Sequence, residues 1–136
     1  MSDLSALPGW YWTLMGGILG AAFASFLGVV LERVPRGESI RGRSRCACGR
    51  QLAAHENIPV LGWLRVRGTT TCCRRPLPRS YLLGELLGTV ALGAAGAAFG
   101  PAGIAALGSL AFAGAFLRAY AQRRSRALPP AAGDGR

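Results

Sequence analysis

Three apolar stretches dominate the pattern of hydrophobic and polar positions along the chain. The first, residues 10–31, runs for twenty-two positions without a charged side chain. The second, residues 80–99, is interrupted only by Glu85, and the third covers residues 102–117. At about 1.5 Å of rise per helical residue, some twenty residues cross the ~30 Å hydrocarbon layer of a bilayer. The pattern predicts an all-α integral membrane protein with about three transmembrane helices.

Polar segments flank the predicted spans, as a tail at 1–9, a long loop at 32–79 and a second tail at 118–136. Gly100 and Pro101 leave room only for a tight break between the second and third spans, so we expect a helical hairpin there. A cleaved signal peptide is the alternative interpretation of the first span. The residues before that span carry no basic side chain, however, and such a peptide normally needs one.

Positive charge is concentrated on one side of the predicted membrane. The sixteen basic residues are all arginine and face six acidic ones, which gives a net charge of +10. Eleven of these arginines lie in the 32–79 loop, whereas the first tail and the turn between the last two spans have none. Basic segments remain on the cytoplasmic side, so we expect an inner-membrane protein whose loop and carboxy terminus are cytoplasmic.

Membrane topology and contact with the lipid bilayer explain the arginines without a specific ligand. Nucleic-acid binding is not expected, because Trp63 is the only aromatic residue of the loop and successive bases would find no stacking surfaces.

Small side chains recur at every fourth position of the first span, at Gly16, Gly20, Ala24 and Gly28. This spacing makes one smooth helix face that another helix can approach closely. The chain has 20 glycines, so its composition is the alternative explanation of the stripe. The pattern leaves both interpretations open.

All four cysteines lie in the basic loop, as Cys46 and Cys48 and as the adjacent pair Cys72 and Cys73. A loop this short and polar buries no core of its own, and four thiolates around a structural zinc ion would supply the missing folding energy. Disulfides are the alternative, which a reducing cytoplasm disfavours. The spacing departs from the usual Cys-x-x-Cys, because adjacent cysteines reach a single metal only with strain.

Three runs in and beside the loop carry a family pattern. Residues 23–40 read Phe-Ala-Ser-Phe-Leu-Gly-Val-Val-Leu-Glu-Arg-Val-Pro-Arg-Gly-Glu-Ser-Ile, and residues 57–64 read Asn-Ile-Pro-Val-Leu-Gly-Trp-Leu. Residues 81–87 read Tyr-Leu-Leu-Gly-Glu-Leu-Leu. In order and spacing these runs resemble the amino-terminal cysteine-loop domain of type IV prepilin peptidases, which would here span about 16–99.

The resemblance implies a role in processing type IV pilin-like precursors at the inner membrane, with a prepilin-like protein as substrate. In that family the matched region is associated with methylation of the pilin amino terminus by S-adenosylmethionine. Methylating an amine needs a base beside an apolar groove, and Glu85, Glu56 and Asn57 are the catalytic candidates. No glycine-rich Rossmann-type turn is present, so the cofactor would lie between helix ends and the loop.

Two departures from the family limit what the resemblance implies. Leader cleavage belongs to a carboxy-terminal domain with two aspartates, one of them in Gly-x-Gly-Asp, whereas Asp3 and Asp134 are the only aspartates here. We therefore expect no aspartic protease from this chain alone. In the loop, two of the family's four cysteine positions hold Arg45 and Thr70 instead.

The expected function is a methyltransferase-type domain, acting alone or as one half of a split enzyme with a separate aspartate-containing peptidase subunit. The alternative is a non-catalytic membrane partner subunit of a separately encoded aspartic prepilin peptidase. That partner would use the small-residue stripe to dock onto another membrane protein.

Overall fold

The computed structural model describes residues 7–42, 44–46 and 48–127, so both aspartates, most of the first tail and the last nine residues of the second tail lie outside it. The elements follow in the order α1 (Gly9–Arg33), a 3-10 turn (Val34–Arg36), a second 3-10 turn (Ala54–Asn57), α2 (Leu61–Arg65) and α3 (Arg79–Ala127). Two isolated β-bridges occur in the described ranges, and no strand does. The prediction of an all-α chain is confirmed for this part of the sequence.

Among the described residues, two helices are long and apolar enough to cross a membrane, Gly9–Arg36 and Arg79–Ala127. The rest of the chain buries only 17% of the most apolar window of each. Leu87 and Phe99, for example, are 70% and 73% exposed. A continuous apolar surface of this kind needs cover from lipid or from other protein, which agrees with membrane-type helices.

α3 is divided at Gly100, whose φ of 59° and ψ of −145° lie far from helical values. This backbone region is essentially confined to glycine. We call residues 79–99 the first arm and residues 101–127 the second arm. An added Cβ at Gly96 would lie 3.2 Å from Ile104 Cδ1, so the arms fold back against each other. The helix is thus interrupted at Gly100, where Gly100 and Pro101 predicted a break between two helical segments.

The small-residue stripe of α1 packs against the first arm. A Cβ added at Gly20 would lie 2.6 Å from the carbonyl carbon of Gly88, and one at Gly16 would lie 2.8 Å from that of Leu92. The backbones approach so closely that only hydrogen fits at these positions. The stripe is therefore a packing seam within this chain. It is not available for docking a separate subunit, which corrects that part of the alternative function.

The second arm covers another flank of α1 through aromatic contacts. The ring of Phe112 is stacked on that of Phe26, with centroids 6.5 Å apart and planes 5° apart. Further along, Arg123 Nη2 lies 4.0 Å from the position of a Cβ on Gly37, just after α1. The end of the second arm therefore lies beside the loop end of α1. The helix itself continues to Ala127, well past the predicted span of 102–117.

Candidate metal centre and adjoining cavity

Two short turns in the loop carry the four cysteines. The first is closed by the β-bridge between Arg45 and Gln51, and the second by the bridge between Thr69 and Pro76. Gly49, at a φ of 86°, reverses the chain within the first turn, in a region that glycine enters without a steric penalty. The two turns present their cysteines to each other.

The four thiols meet between the two turns. Cys46 Sγ lies 3.2 Å from Cys73 Sγ, and Cys48 Sγ lies 3.3 Å from Cys72 Sγ. All four sulfurs lie within 4.8 Å of one another, and the thiols are free. Sulfurs at the corners of a zinc tetrahedron with ~2.3 Å bonds are about 3.8 Å apart. The irregular sequence spacing therefore still yields a cluster of the right donors and the right size for zinc.

Hydrogen bonds shift the pKa values of these thiols. The backbone amide of Cys48, followed by the thiol of Cys73, lowers the pKa of Cys46 to about 6. The backbone amide of Arg50 lowers the pKa of Cys48, but the three other thiols, with Cys72 the largest contributor, and desolvation together raise that pKa to about 11. The Arg50 side chain lowers the pKa of Cys72. Neighbouring thiols thus share protons, and Arg50 favours the thiolate form that binds metal.

Glu56 ties the two cysteine turns together. Arg50 Nη2 donates to Glu56 Oε1 at 2.8 Å and to Thr71 Oγ1 at 2.7 Å. The Thr71 hydroxyl also donates to Glu56 Oε1, and the Ala53 amide donates to Glu56 Oε2 at 2.8 Å. These donors, with Thr71 the largest contributor, lower the pKa of Glu56 to about 2. Since the carboxylate is already engaged and its side chain is 5% exposed, the geometry favours a positioning role for it.

We expect Glu56→Gln to lower the thermal stability of the metal-free chain and to reduce its acid sensitivity. A carboxyl whose pKa falls from 4.5 to about 2 on folding stabilises the fold above pH 4.5 and loses that contribution as the pH falls towards 2. Melting temperatures in detergent, followed across that window, should converge between wild type and variant at the acid end. Glu38→Gln, which removes another cavity carboxylate, is the control. Parallel profiles for wild type and Glu56→Gln would contradict the role.

A cavity of about 650 Å³ opens between the loop end of α1, the cysteine loop and the start of the first arm. All three catalytic candidates, Glu56, Asn57 and Glu85, line it. At its edge the Tyr81 hydroxyl donates to Glu32 Oε2 at 2.6 Å and so joins the first arm to α1. Its volume lies in the range of small-ligand sites, roughly 300–1,000 Å³.

Glu85 connects the first arm to the loop. The residue is 9% exposed, and its Oε2 accepts a hydrogen bond from the Val60 amide at 2.6 Å. Val60, immediately before α2, has a φ of 62°, which a β-branched residue normally avoids. Glu85 therefore holds a strained turn in place beside the cavity. Asn57 is exposed at the end of its 3-10 turn.

Four residues of this site were not predicted from the sequence, namely Arg50, Thr71, Glu32 and Tyr81. Arg50 and Thr71 are near neighbours of cysteines, and that position was the only signal that could have identified them. The Tyr81–Glu32 hydrogen bond joins residues 49 positions apart, so no local pattern indicates it.

The family model of the bacterial peptidase A24 N-terminal domain matches residues 18–99, more than half of the chain. The chain belongs to this family. The match covers the seam from Gly20 onward, the cysteine cluster and the cavity, so these features lie within the A24 N-terminal domain of this chain. It also confirms the resemblance to prepilin peptidases.

Curated relatives agree with the family. The A24 chain is 47% identical over 88 residues to a prepilin leader peptidase/N-methyltransferase of Myxococcus xanthus (strain DK1622), covering 61% of this chain and 26% of that protein. It is 33% identical over 133 residues to one of Burkholderia pseudomallei (strain 1026b), covering 77% and 43%. A third, of Dickeya chrysanthemi, is 30% identical over 144 residues, covering 87% and 50%.

The A24 chain therefore spans about a quarter to a half of the length of these relatives. No solved structure gives a significant match. The relatives are named for two activities, and nothing in their names says which part of their length carries which.

Proposed function

We propose that this chain is a membrane-embedded, methyltransferase-type domain that acts in processing type IV pilin-like precursors. One observation carries the proposal: the cavity beside the membrane helices, where Glu85, Glu56 and Asn57 line the same space. The family of the chain and the N-methyltransferase named among its relatives supply the chemistry. The substrate would be the amino terminus of a prepilin-like protein.

The proposed topology has three spans, near residues 10–31, 80–99 and 102–117. As one straight helix, the 49 residues of α3 would be about 74 Å long, more than twice the hydrocarbon thickness. The break at Gly100 instead yields two arms that each suit one crossing. The loop and the arginine-rich end of the second arm lie at the same end of the bundle, and the positive-inside rule assigns that end to the cytoplasm.

The cavity suits S-adenosylmethionine in size, since its 650 Å³ accommodates a ligand of that class. Its lining carries both charges, with four glutamates (Glu32, Glu38, Glu56 and Glu85) and four arginines (Arg33, Arg36, Arg41 and Arg45). A carboxylate would face the cofactor's sulfonium, and an arginine would face its carboxylate. When bound, that cofactor supplies the methyl group. Amine methylation needs a free lone pair on nitrogen, so we assign Glu85 to accept the amine proton and Asn57 to orient the amine.

We assign Cys46, Cys48, Cys72 and Cys73 to a structural zinc ion. The donor set consists of four thiols within 4.8 Å, next to the cationic side chain of Arg50. Zinc would hold the two turns whose other connection is the hydrogen-bond network around Glu56. Its part in the function is then to keep one wall of the cavity in place.

The proposed methylation is tested on a prepilin that is co-expressed with this chain and with an aspartate-containing prepilin peptidase. Mass spectrometry of the processed amino terminus should show one added methyl group. Glu85→Gln should lower its yield by about 100-fold or more, as expected on loss of a proton acceptor. Gly84→Ala, at a neighbouring position with open space around it, should leave the yield unchanged. Unmethylated pilin with the wild-type chain would remove the methyltransferase assignment.

A non-catalytic partner subunit is the second candidate function. An apolar groove of about 640 Å³ between α1 and the second arm favours it, since its lining residues include Phe23, Phe26 and Phe112. A groove of this kind can accept a helix of a separately encoded aspartic prepilin peptidase. Leader cleavage that requires both chains, with the pilin still unmethylated, would support this function over the first.

A further inference from the structure

The arrangement of the cysteines determines which disulfides they can form. The shortest Sγ–Sγ distances run between the two turns, 3.2 Å for Cys46 and Cys73 and 3.3 Å for Cys48 and Cys72. A disulfide bond is about 2.05 Å long, so each of these pairs needs to approach by only about 1.2 Å. The sequence neighbours Cys72 and Cys73 lie farther apart, at 3.9 Å.

Backbone geometry disfavours pairing within the second turn as well. The Cα atoms of adjacent residues are about 3.8 Å apart, whereas disulfides usually need about 4.4–6.8 Å. The two turns face each other with the order of their cysteines reversed. The covalent geometry thus disfavours the adjacent pair, and the shortest observed distances select the two cross-turn pairs.

Water-borne reagents can reach this cluster. Cys48, Cys72 and Cys73 are exposed, and each cross-turn pair contains at least one of them. Cys46 is 8% exposed and lies against Cys73, so its partner offers the point of attack. Exposed thiols beside a second thiol are the usual targets of reversible oxidation.

We propose that the four-cysteine cluster is an oxidation site at which hydrogen peroxide produces two specific disulfides, Cys46–Cys73 and Cys48–Cys72. In each pair, one thiolate attacks a peroxide oxygen, the O–O bond breaks, and a sulfenic acid and, after protonation, one water form. The partner thiol then displaces the hydroxyl as a second water and forms the S–S bond. Each pair loses two electrons and one peroxide gains them, so two peroxides oxidise the cluster.

Oxidation would exchange one kind of cross-link for another. Both disulfides join the same two turns that a zinc ion would join, so the loop keeps its connection when the thiolates no longer bind metal. Arg50 and Thr71, close in sequence to Cys48 and Cys72, both donate hydrogen bonds to Glu56 in the cavity wall. Disulfide formation draws the sulfurs of the two turns together and therefore affects the cavity wall that contains Glu56. The inference rests on the positions of the thiols and holds for the metal-free chain too.

Double variants test the pairing in the full-length, detergent-solubilised and metal-free chain. Cys48→Ser with Cys72→Ser leaves one proposed pair, and Cys46→Ser with Cys73→Ser leaves the other. Cys46→Ser with Cys48→Ser leaves the adjacent pair, and Cys46→Ser with Cys72→Ser leaves a mismatched one. Under dilute hydrogen peroxide, maleimide-reactive thiols should disappear at least about fivefold faster in the first two variants, with a mass loss of two hydrogens per chain.

Equal rates in all four variants, or fastest oxidation of the adjacent pair, would overturn the proposed pairing. Sulfinic or sulfonic acids in place of disulfides would overturn it too. In the wild type loaded with zinc, peroxide should release one zinc ion for every four thiols lost, as measured with a chromogenic chelator. A wild type that holds no zinc would refute the structural zinc, whereas the double variants would still decide the disulfides.

Discussion

Cys48→Ser and Cys73→Ser are each expected to reduce bound zinc from about one ion per chain to below a tenth of that, and to loosen the cysteine loop so that proteases cleave it faster. Apolar burial adds little to its cohesion, because Pro35 and Cys46 are the only buried apolar side chains among the described residues of the loop. In such a loop, metal binding adds directly to the free energy of folding that the hydrogen bonds around Glu56 supply. Elemental analysis of protein purified in detergent without chelators measures the zinc, and limited proteolysis measures the folding of the loop.

His55→Ala is the matched control for the zinc measurement. His55 is an exposed loop residue of a type that often binds zinc, and it does not belong to the cluster of four sulfurs. Its removal should leave both zinc content and proteolysis unchanged. A wild-type chain without zinc, or serine variants that retain the full amount, would refute the metal centre.

The second large effect is expected at the helix seam, where Gly20→Ala should destabilise the chain by about 1–3 kcal/mol. The new Cβ would lie 2.6 Å from the carbonyl carbon of Gly88, and backbone atoms cannot move aside without separating α1 from the first arm. Thermal unfolding in detergent, followed by circular dichroism, should show a melting temperature several degrees lower than that of the wild type.

Gly84→Ala controls for the change in helix propensity. An added Cβ at Gly84 meets nothing within 4 Å, so this variant should match the wild type or gain up to about 1 kcal/mol. Equal melting temperatures for Gly20→Ala and Gly84→Ala would show that the seam is not as tight as the structure has it. Because the seam also carries Tyr81 and Glu85 to the loop end of α1, its opening should lower the methylation yield as well.

The seam and the cavity are therefore parts of one arrangement. Close packing along Gly16 and Gly20 aligns the first arm with α1. At the loop end of this helix pair, Tyr81 donates to Glu32 and Glu85 accepts the Val60 amide. The close packing of α1 against the first arm thus determines where the polar groups of the cavity lie.

Local features of the amino-acid sequence were enough to predict the helices and their break. An uncharged run at 10–31 can satisfy its backbone in a bilayer only as a helix, and Gly100 with Pro101 interrupts any helix that reaches it. The four-residue spacing of Gly16 and Gly20 indicated one smooth face, because that spacing returns to the same side of a helix. The family runs identified the domain because each of them is a short stretch of residues that are contiguous in the sequence.

The site itself depends on contacts between residues far apart in the chain. The spacing of the cysteines in the sequence suggested a strained metal site. In the folded loop, the two turns face each other and place Cys46 beside Cys73 and Cys48 beside Cys72. Glu56 was singled out as a catalytic candidate, and its engagement with Arg50 became visible only in the folded loop. Side-chain periodicity reports which face of a helix is apolar. It carries no information on which distant loop residues meet, because loop conformations and backbone turns such as that at Val60 arise from tertiary contacts.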